Sequence, residues 1–167
     1  MKKILCLVAL LCGMSVMAFG QGTKNLSVEI GGVASGFGIR YDARIDGNAG
    51  LGYAAVLSYS QDGLFFLDDF DIKCDYYMLP LEVNYLFGEQ KHHFEVGAGM
   101  LNGLVKAKFM GESNTEWANE FFANIGYRFQ PEKGFMFRIG VTPMFGIGDH
   151  KLSDKHLGVY IGLGWSF

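Results

Sequence analysis

Eight times along this 167-residue chain, apolar residues return at every second position. A period of two marks a β-strand with one apolar face, because successive side chains point to opposite sides. The stretches are Leu26–Gly32, Phe37–Ile45, Leu51–Tyr59, Tyr77–Phe87, His93–Leu101, Phe121–Phe129, Phe135–Val141 and Leu157–Phe167. The last alternates most strictly: Ile161, Leu163, Trp165 and Phe167 share one face, and Tyr160, Gly162, Gly164 and Ser166 share the other. It is about eleven residues long, the length a tilted strand needs to cross a bilayer. Abundant glycine, 15% aromatics and only three prolines suit an all-β protein with few helices. The only repeat is the hairpin rhythm itself.

The first twenty residues read as an address. Lys2 and Lys3 precede an apolar run, Ile4–Val16, and Ala18-Phe19-Gly20 sets small residues where a signal peptidase reads. Cleavage is expected before Gln21, leaving residues 21–167 as one domain. The apolar run is shorter than the roughly 17–25 residues of a transmembrane helix. Leu5 precedes Cys6 and Leu11 precedes Cys12, so neither cysteine has the small neighbour a lipoprotein signal needs. Both leave with the signal, and Cys74 remains alone, so no internal disulfide is expected. The formal charge is −3 over the whole chain, which excludes the basic face of a nucleic-acid binder.

The connections between the expected strands alternate in kind. Asp46-Gly47-Asn48, Gly88–His92 and Gln130–Gly134 are short turns after strands two, four and six. Gln61–Asp75, Lys106–Glu116 and Gly146–Lys155 are longer polar stretches after strands three, five and seven; the tight turn Ala34-Ser35-Gly36 is the exception. Long connections on one side and short turns on the other are the pattern of a transmembrane barrel. Pro80 and Pro143 each remove one ladder donor, and a strand end or bulge is expected at both.

Alternation alone leaves open which face is inside. A secreted lipocalin-like barrel would turn the apolar face inward. Three features favour the opposite. The apolar face carries no charged residue in any expected strand, as a bilayer requires. The polar face mixes glycine with Glu29, Asp42, Glu82 and Glu95 against Arg40, Arg44, Arg128 and Arg138, and lacks lysine, which suits compact pairing in a narrow interior. Aromatics gather near strand ends, with Tyr85, Phe87, Phe94, Tyr127, Phe129, Phe135, Trp165 and Phe167 at the short-turn side and Phe37, Tyr59 and Phe121 at the other.

The end of the chain resembles the C-terminal signal of bacterial outer-membrane barrels, at Tyr160, Gly162, Trp165 and the terminal Phe167. The region after the signal resembles the small eight-stranded outer-membrane barrels, of the OmpX type and the transmembrane domain of the OmpA type. The resemblance implies a closed antiparallel eight-stranded transmembrane β-barrel, monomeric, in contact with outer-membrane lipid and lipopolysaccharide. It also implies insertion by the barrel assembly machinery, which would read the last strand. No motif points to a characterised functional subfamily, and no cofactor is implied.

The interior charges read most simply as a salt-bridge core, with a narrow pore as the rival. Asp62, Asp68, Asp69, Asp71 and Asp75 crowd one connection, but Lys73 stands where an EF-hand needs an oxygen ligand, so a solvated acidic loop is the simpler reading. Leu64, Phe65, Phe66 and Leu67 beside it form an apolar patch. Some barrels of this size modify lipid A. Asp149, His150 and Ser153 share the last polar segment and Ser60 closes strand three, but no nucleophile motif frames them. His92 and His93, adjacent in a turn, would point apart, and His150 and His156 are too far apart to imply a site, so no metal is expected. A non-enzymatic structural or surface role is the expectation. The alternatives are a lipid A-modifying enzyme, a narrow pore and a lipocalin-like binding barrel.

Overall fold

The computed structural model describes residues 22–61, 73–109, 112–146 and 157–167. Eight antiparallel strands follow one another: β1 (Lys24–Gly31), β2 (Phe37–Arg44), β3 (Gly50–Gln61), β4 (Lys73–Phe87), β5 (His92–Phe109), β6 (Glu112–Phe129), β7 (Gly134–Gly146) and β8 (Leu157–Ser166). Each pairs with its sequence neighbours, and β1 pairs with β8, which closes the barrel and leaves no edge within the wall. Among the described residues no helix is long and apolar enough to cross a membrane.

Closure gives the period-two pattern its meaning. Along β1, Asn25, Ser27 and Glu29 are buried while Leu26, Val28 and Ile30 are exposed. Along β8, Ile161, Leu163 and Trp165 are about half exposed, whereas Tyr160 and Ser166 are hidden. The large apolar side chains therefore face outward and the charges inward. A lipocalin-like barrel would have the reverse, and that alternative is overturned.

Four expectations on connections and strand ends change. The polar stretch Lys106–Glu116 is not a loop. β5 and β6 run unbroken through most of it, paired from His92↔Phe129 to Phe109↔Glu112, because cross-strand pairing tolerates polar side chains beyond the apolar zone. His92 and His93 begin β5 rather than occupying a turn. At Pro80 the β3–β4 ladder breaks between Ala55↔Leu81 and Ser58↔Met78, and at Pro143 the β6–β7 ladder breaks between Ile125↔Val141 and Phe122↔Met144. The register is the same on both sides of each break. Neither strand ends or bulges there: each seam loosens and rejoins.

Between β1 and β2 a single 3-10 turn, Gly32–Ala34, dips into the lumen and buries Val33 and Ala34. Gly31 and Gly32 make this possible with φ of 77° and 55°. A Cβ on Gly32 would lie 2.8 Å from the Tyr160 Cβ and 2.9 Å from the Thr142 Oγ1. Gly47 has a similar φ of 58° in the β2–β3 turn but open space around it. Gly47→Ala is expected to cost about 1 kcal/mol, from left-handed strain alone. Gly32→Ala adds overpacking and is expected to cost about 2–4 kcal/mol. Equilibrium urea unfolding in detergent micelles, followed by tryptophan emission, checks the difference.

Candidate functional site

The barrel interior is the most organised chemical environment among the described residues. It is built in layers, and each follows from which residue types occupy the inward phase of the strands.

At its centre are four arginines and four carboxylates, all essentially inaccessible to solvent. β2 alone contributes Arg40, Asp42 and Arg44, at alternate positions and so on one face. Glu29 comes from β1, Glu82 from β4, Glu95 from β5, Arg128 from β6 and Arg138 from β7. Arg128 is bidentate to Asp42, at 2.9 and 3.1 Å, and reaches Glu95 at 2.5 Å. Arg138 joins Glu29 at 2.6 Å to Glu95 at 3.2 Å. Arg40 meets Glu82 at 2.9 Å, and Arg44 meets Asp42 at 2.7 Å. With Arg40 also 3.5 Å from Asp42, these contacts form one network in which every carboxylate touches at least one guanidinium. Placing ions out of water without such partners would cost several kcal/mol each.

The other two strands supply space. The inward row of β3 is Gly52, Ala54, Val56 and Ser58, and that of β8 is mostly glycine. Arg44 lies over Gly52, and the Arg138 Cγ would be 2.7 Å from a Cβ on Gly162. The Arg138 guanidinium also stacks over the Tyr160 ring, 4.3 Å from its centroid. Two residues of the expected assembly signal, Tyr160 and Gly162, thus face the ionic layer, while Trp165 and Phe167 are exposed on the outer wall.

Amides extend the network. Asn84 bonds both Asp42 and Arg44, and Asn124 donates to Glu82 at 2.7 Å while accepting from Thr142. At the short-turn end, Gln130 accepts from Asn25 at 2.9 Å and donates to the Asn48 carbonyl at 3.0 Å. Asn48 in turn donates to the carbonyls of Gln90 and Gln130. This clasp ties together all three short turns. The sequence reading left these amides out, and took Gln130 for a turn residue, although Asn25, Asn84, Asn124 and Gln130 all fall in phase with the charges. Glu120, also inward and buried, was missed because β6 begins nine residues earlier than expected.

At the opposite end an apolar plug fills the lumen, with Glu120 in register beside Leu101. Val33 packs with Met78, Leu101 and Phe122, flanked by Tyr76 and Met144. The interior is thus charged in the middle and sealed differently at each end. Side chains fill it, as the diameter of an eight-stranded barrel allows.

The remaining candidates disperse. Ser60 is in β3, but Asp149, His150, Ser153 and His156 lie outside the described residues. So do Asp62, Asp68, Asp69, Asp71 and the Leu64–Leu67 patch; Asp75, in β4, accepts a hydrogen bond from Tyr59 at 3.0 Å. The Cys74 backbone lies in β4. His92 and His93 point apart: His93 is buried, while the His92 Nδ1 is 2.7 Å from the Tyr127 hydroxyl on the outer wall. No three His, Cys, Asp or Glu side chains converge as a metal site among the described residues.

The network makes a quantitative prediction. Arg138→Ala leaves Glu29 only the more distant Arg40, 3.8 Å away, and weakens the hold on Glu95, and is expected to cost about 3–5 kcal/mol. Adding Glu29→Gln removes the under-paired charge, so the double variant should be less destabilised than the sum of the single ones by about 1–3 kcal/mol. A double-mutant cycle by urea titration in micelles measures this coupling.

No protein-family model matches the chain, and no curated protein matches it in sequence. Solved structures do resemble it. The N-terminal β-barrel domain of Pseudomonas aeruginosa OprF matches with a TM-score of 0.66 at 14% identity, over 89% of this chain and 99% of that one. Neisserial surface protein A gives 0.55 at 13% identity, over 86% and 93%. Ail, the attachment invasion locus protein of Yersinia pestis, gives 0.52 at 16% identity, over 87% and 95%, and is also known in complex with the heparin analogue sucrose octasulfate. The chain has the fold of the small eight-stranded outer-membrane barrels.

Proposed function

We propose that this chain is an integral outer-membrane protein with a non-enzymatic role, a barrel that carries its outer strand ends and connections into contact with lipopolysaccharide and surfaces outside the cell. One observation carries the reading: the inversion of burial, with paired charges inside and a continuous apolar wall outside. Such a wall is stable only in lipid.

In this reading residues 1–20 direct export and are removed before Gln21. The short turns and the amide clasp face the periplasm. The barrel assembly machinery engages the last strand through Tyr160, Gly162, Trp165 and Phe167, and the inserted barrel is monomeric. Aromatic side chains support this orientation: Tyr85, Phe87, Phe94, Tyr127, Phe135 and Trp165 are exposed around the short-turn end, and Phe37, Tyr59, Tyr77, Trp117, Phe121 and Phe145 around the other. Two such belts suit the two interfaces of a bilayer. The complex of Ail with a heparin analogue favours a surface role for a barrel of this shape.

The filled, doubly sealed interior argues against the narrow pore. The enzyme alternative rests on Asp149, His150 and Ser153, which lie outside the described residues. The protein is expected in the outer-membrane fraction, with a gel mobility that changes between unheated and boiled detergent samples. A soluble periplasmic protein without that shift would defeat the reading. In planar bilayers it should give no steady single-channel conductance; a steady conductance altered by Arg128→Ala would favour the pore. Alanine at His150 and Ser153 should leave the lipid A profile of the cell unchanged.

A further inference from the structure

A barrel wall is convex, so an apolar groove in it needs a cause. One lies over the β3–β4 seam, with a volume of about 440 Å³. Leu57, Tyr59, Tyr77, Leu79, Leu104 and Trp117 line it, drawn from four consecutive strands. Its floor lies beside the ladder break that Pro80 makes, where no bridge joins Val56 and Leu57 to β4. There it reaches Ser58 and Met78, residues of the inward rows. The tilted rings of Tyr59 and Tyr77, 5.2 Å apart, form part of its rim. The missing proline donor lets the strands part, and the rim aromatics deepen the result.

The outward end of the groove changes character abruptly. Lys106, exposed and one outward position beyond Leu104, holds its ammonium 5.1 Å from the Tyr77 ring centroid. The backbone register sets Asp75 opposite Lys106, and then Lys73 opposite Lys108. Three lysine positions thus meet one carboxylate position over two successive rungs of the same face, and that carboxylate accepts a hydrogen bond from Tyr59. The neighbouring β6 positions in register with Lys106 and Lys108 are Thr115 and Ser113, both uncharged.

We infer that this face seats a phosphorylated, acylated glycolipid of the outer leaflet, one acyl chain in the groove and its phosphates at the Lys73, Lys106 and Lys108 positions. An apolar groove of this volume, open along the outer wall, takes a flexible hydrocarbon chain. Several lysine positions at its mouth would select a headgroup with more than one phosphate over a zwitterionic one. The inference rests on the membrane reading above and adds a site to it.

Trp117 makes the site observable, since the chain has only two tryptophans and the other is Trp165. Trp165→Phe protein, with Trp117 alone, is placed in phosphatidylcholine vesicles with brominated acyl chains, which quench indole emission. EDTA is present so that the acidic stretch 62–71 cannot act through a divalent cation. Unbrominated bisphosphorylated lipid A is then added at a few mole per cent. Trp117 emission is expected to recover at least threefold more than that of Trp165 in a Trp117→Phe control. Lys106→Ala/Lys108→Ala should abolish the excess, and phosphatidylglycerol at the same fraction should not produce it. Equal recovery at both tryptophans, or equal effect of phosphatidylglycerol, would overturn the site. Recovery on raising the protein-to-lipid ratio without lipid A would mean that a second copy fills the groove, and would overturn it too. Heat-dependent gel mobility of each variant reports insertion: a chain that does not insert overturns the membrane reading, whereas insertion with equal recovery overturns the glycolipid seat alone.

Discussion

Everything in this barrel depends on pairing charge where there is no water. An ordinary domain hides its apolar residues and lets its charges face solvent. Here lipid takes the apolar side chains, so the interior must be stabilised by other means. Four guanidiniums and four carboxylates meet in a single network, and Asp42, at its hub, is contacted by Arg40, Arg44 and Arg128. A buried ion pair gives little net stability over an apolar filling, but one left half-made is very costly. The network therefore acts mainly as a register lock. Sliding any strand by one residue would send its charges into lipid and its leucines into the lumen.

The small residues matter as much as the charged ones. Long arginines from β2, β6 and β7 have room because β3 and β8 offer glycine, alanine and serine beneath them. The two seals then suit their surroundings. The amide clasp joins turns that meet water, whereas the Val33, Met78, Leu101 and Phe122 plug closes the other end with apolar side chains. With the lumen occupied, the outer wall and the strand ends are the surfaces left to meet other molecules.

The alternation of Leu, Val and Ile with Glu, Arg and Gly made strand number, strand phase and closure legible in the sequence, because a bilayer tolerates few exceptions. The phase also placed all eight charged residues on the face that proves to be the interior. What the sequence hid was governed by weaker rules. The Lys106–Glu116 stretch read as a loop because polar composition is ambiguous once a strand leaves the lipid. Pro80 and Pro143 read as strand ends or bulges because a missing donor is local, while the three to six bridges on either side of each break that carry the strand onward are not. Gln130 was masked by its place beside Pro131, although it continues the inward row begun by Arg128.

The extension of β5 and β6 has a mechanical consequence. Each is 18 residues long, about 60 Å at strand rise, and roughly half of that suffices to cross the lipid. The remainder is a paired ribbon, flanked on one side by β4 as far as Lys73↔Lys108 and joined to β7 as far as Glu120↔Gly146. Whatever its tip touches is met at a set height and along a set line, as by a mast and not by a tether. A load on that tip would pass down the hydrogen-bonded ladder into the same strands that carry Glu95 and Arg128.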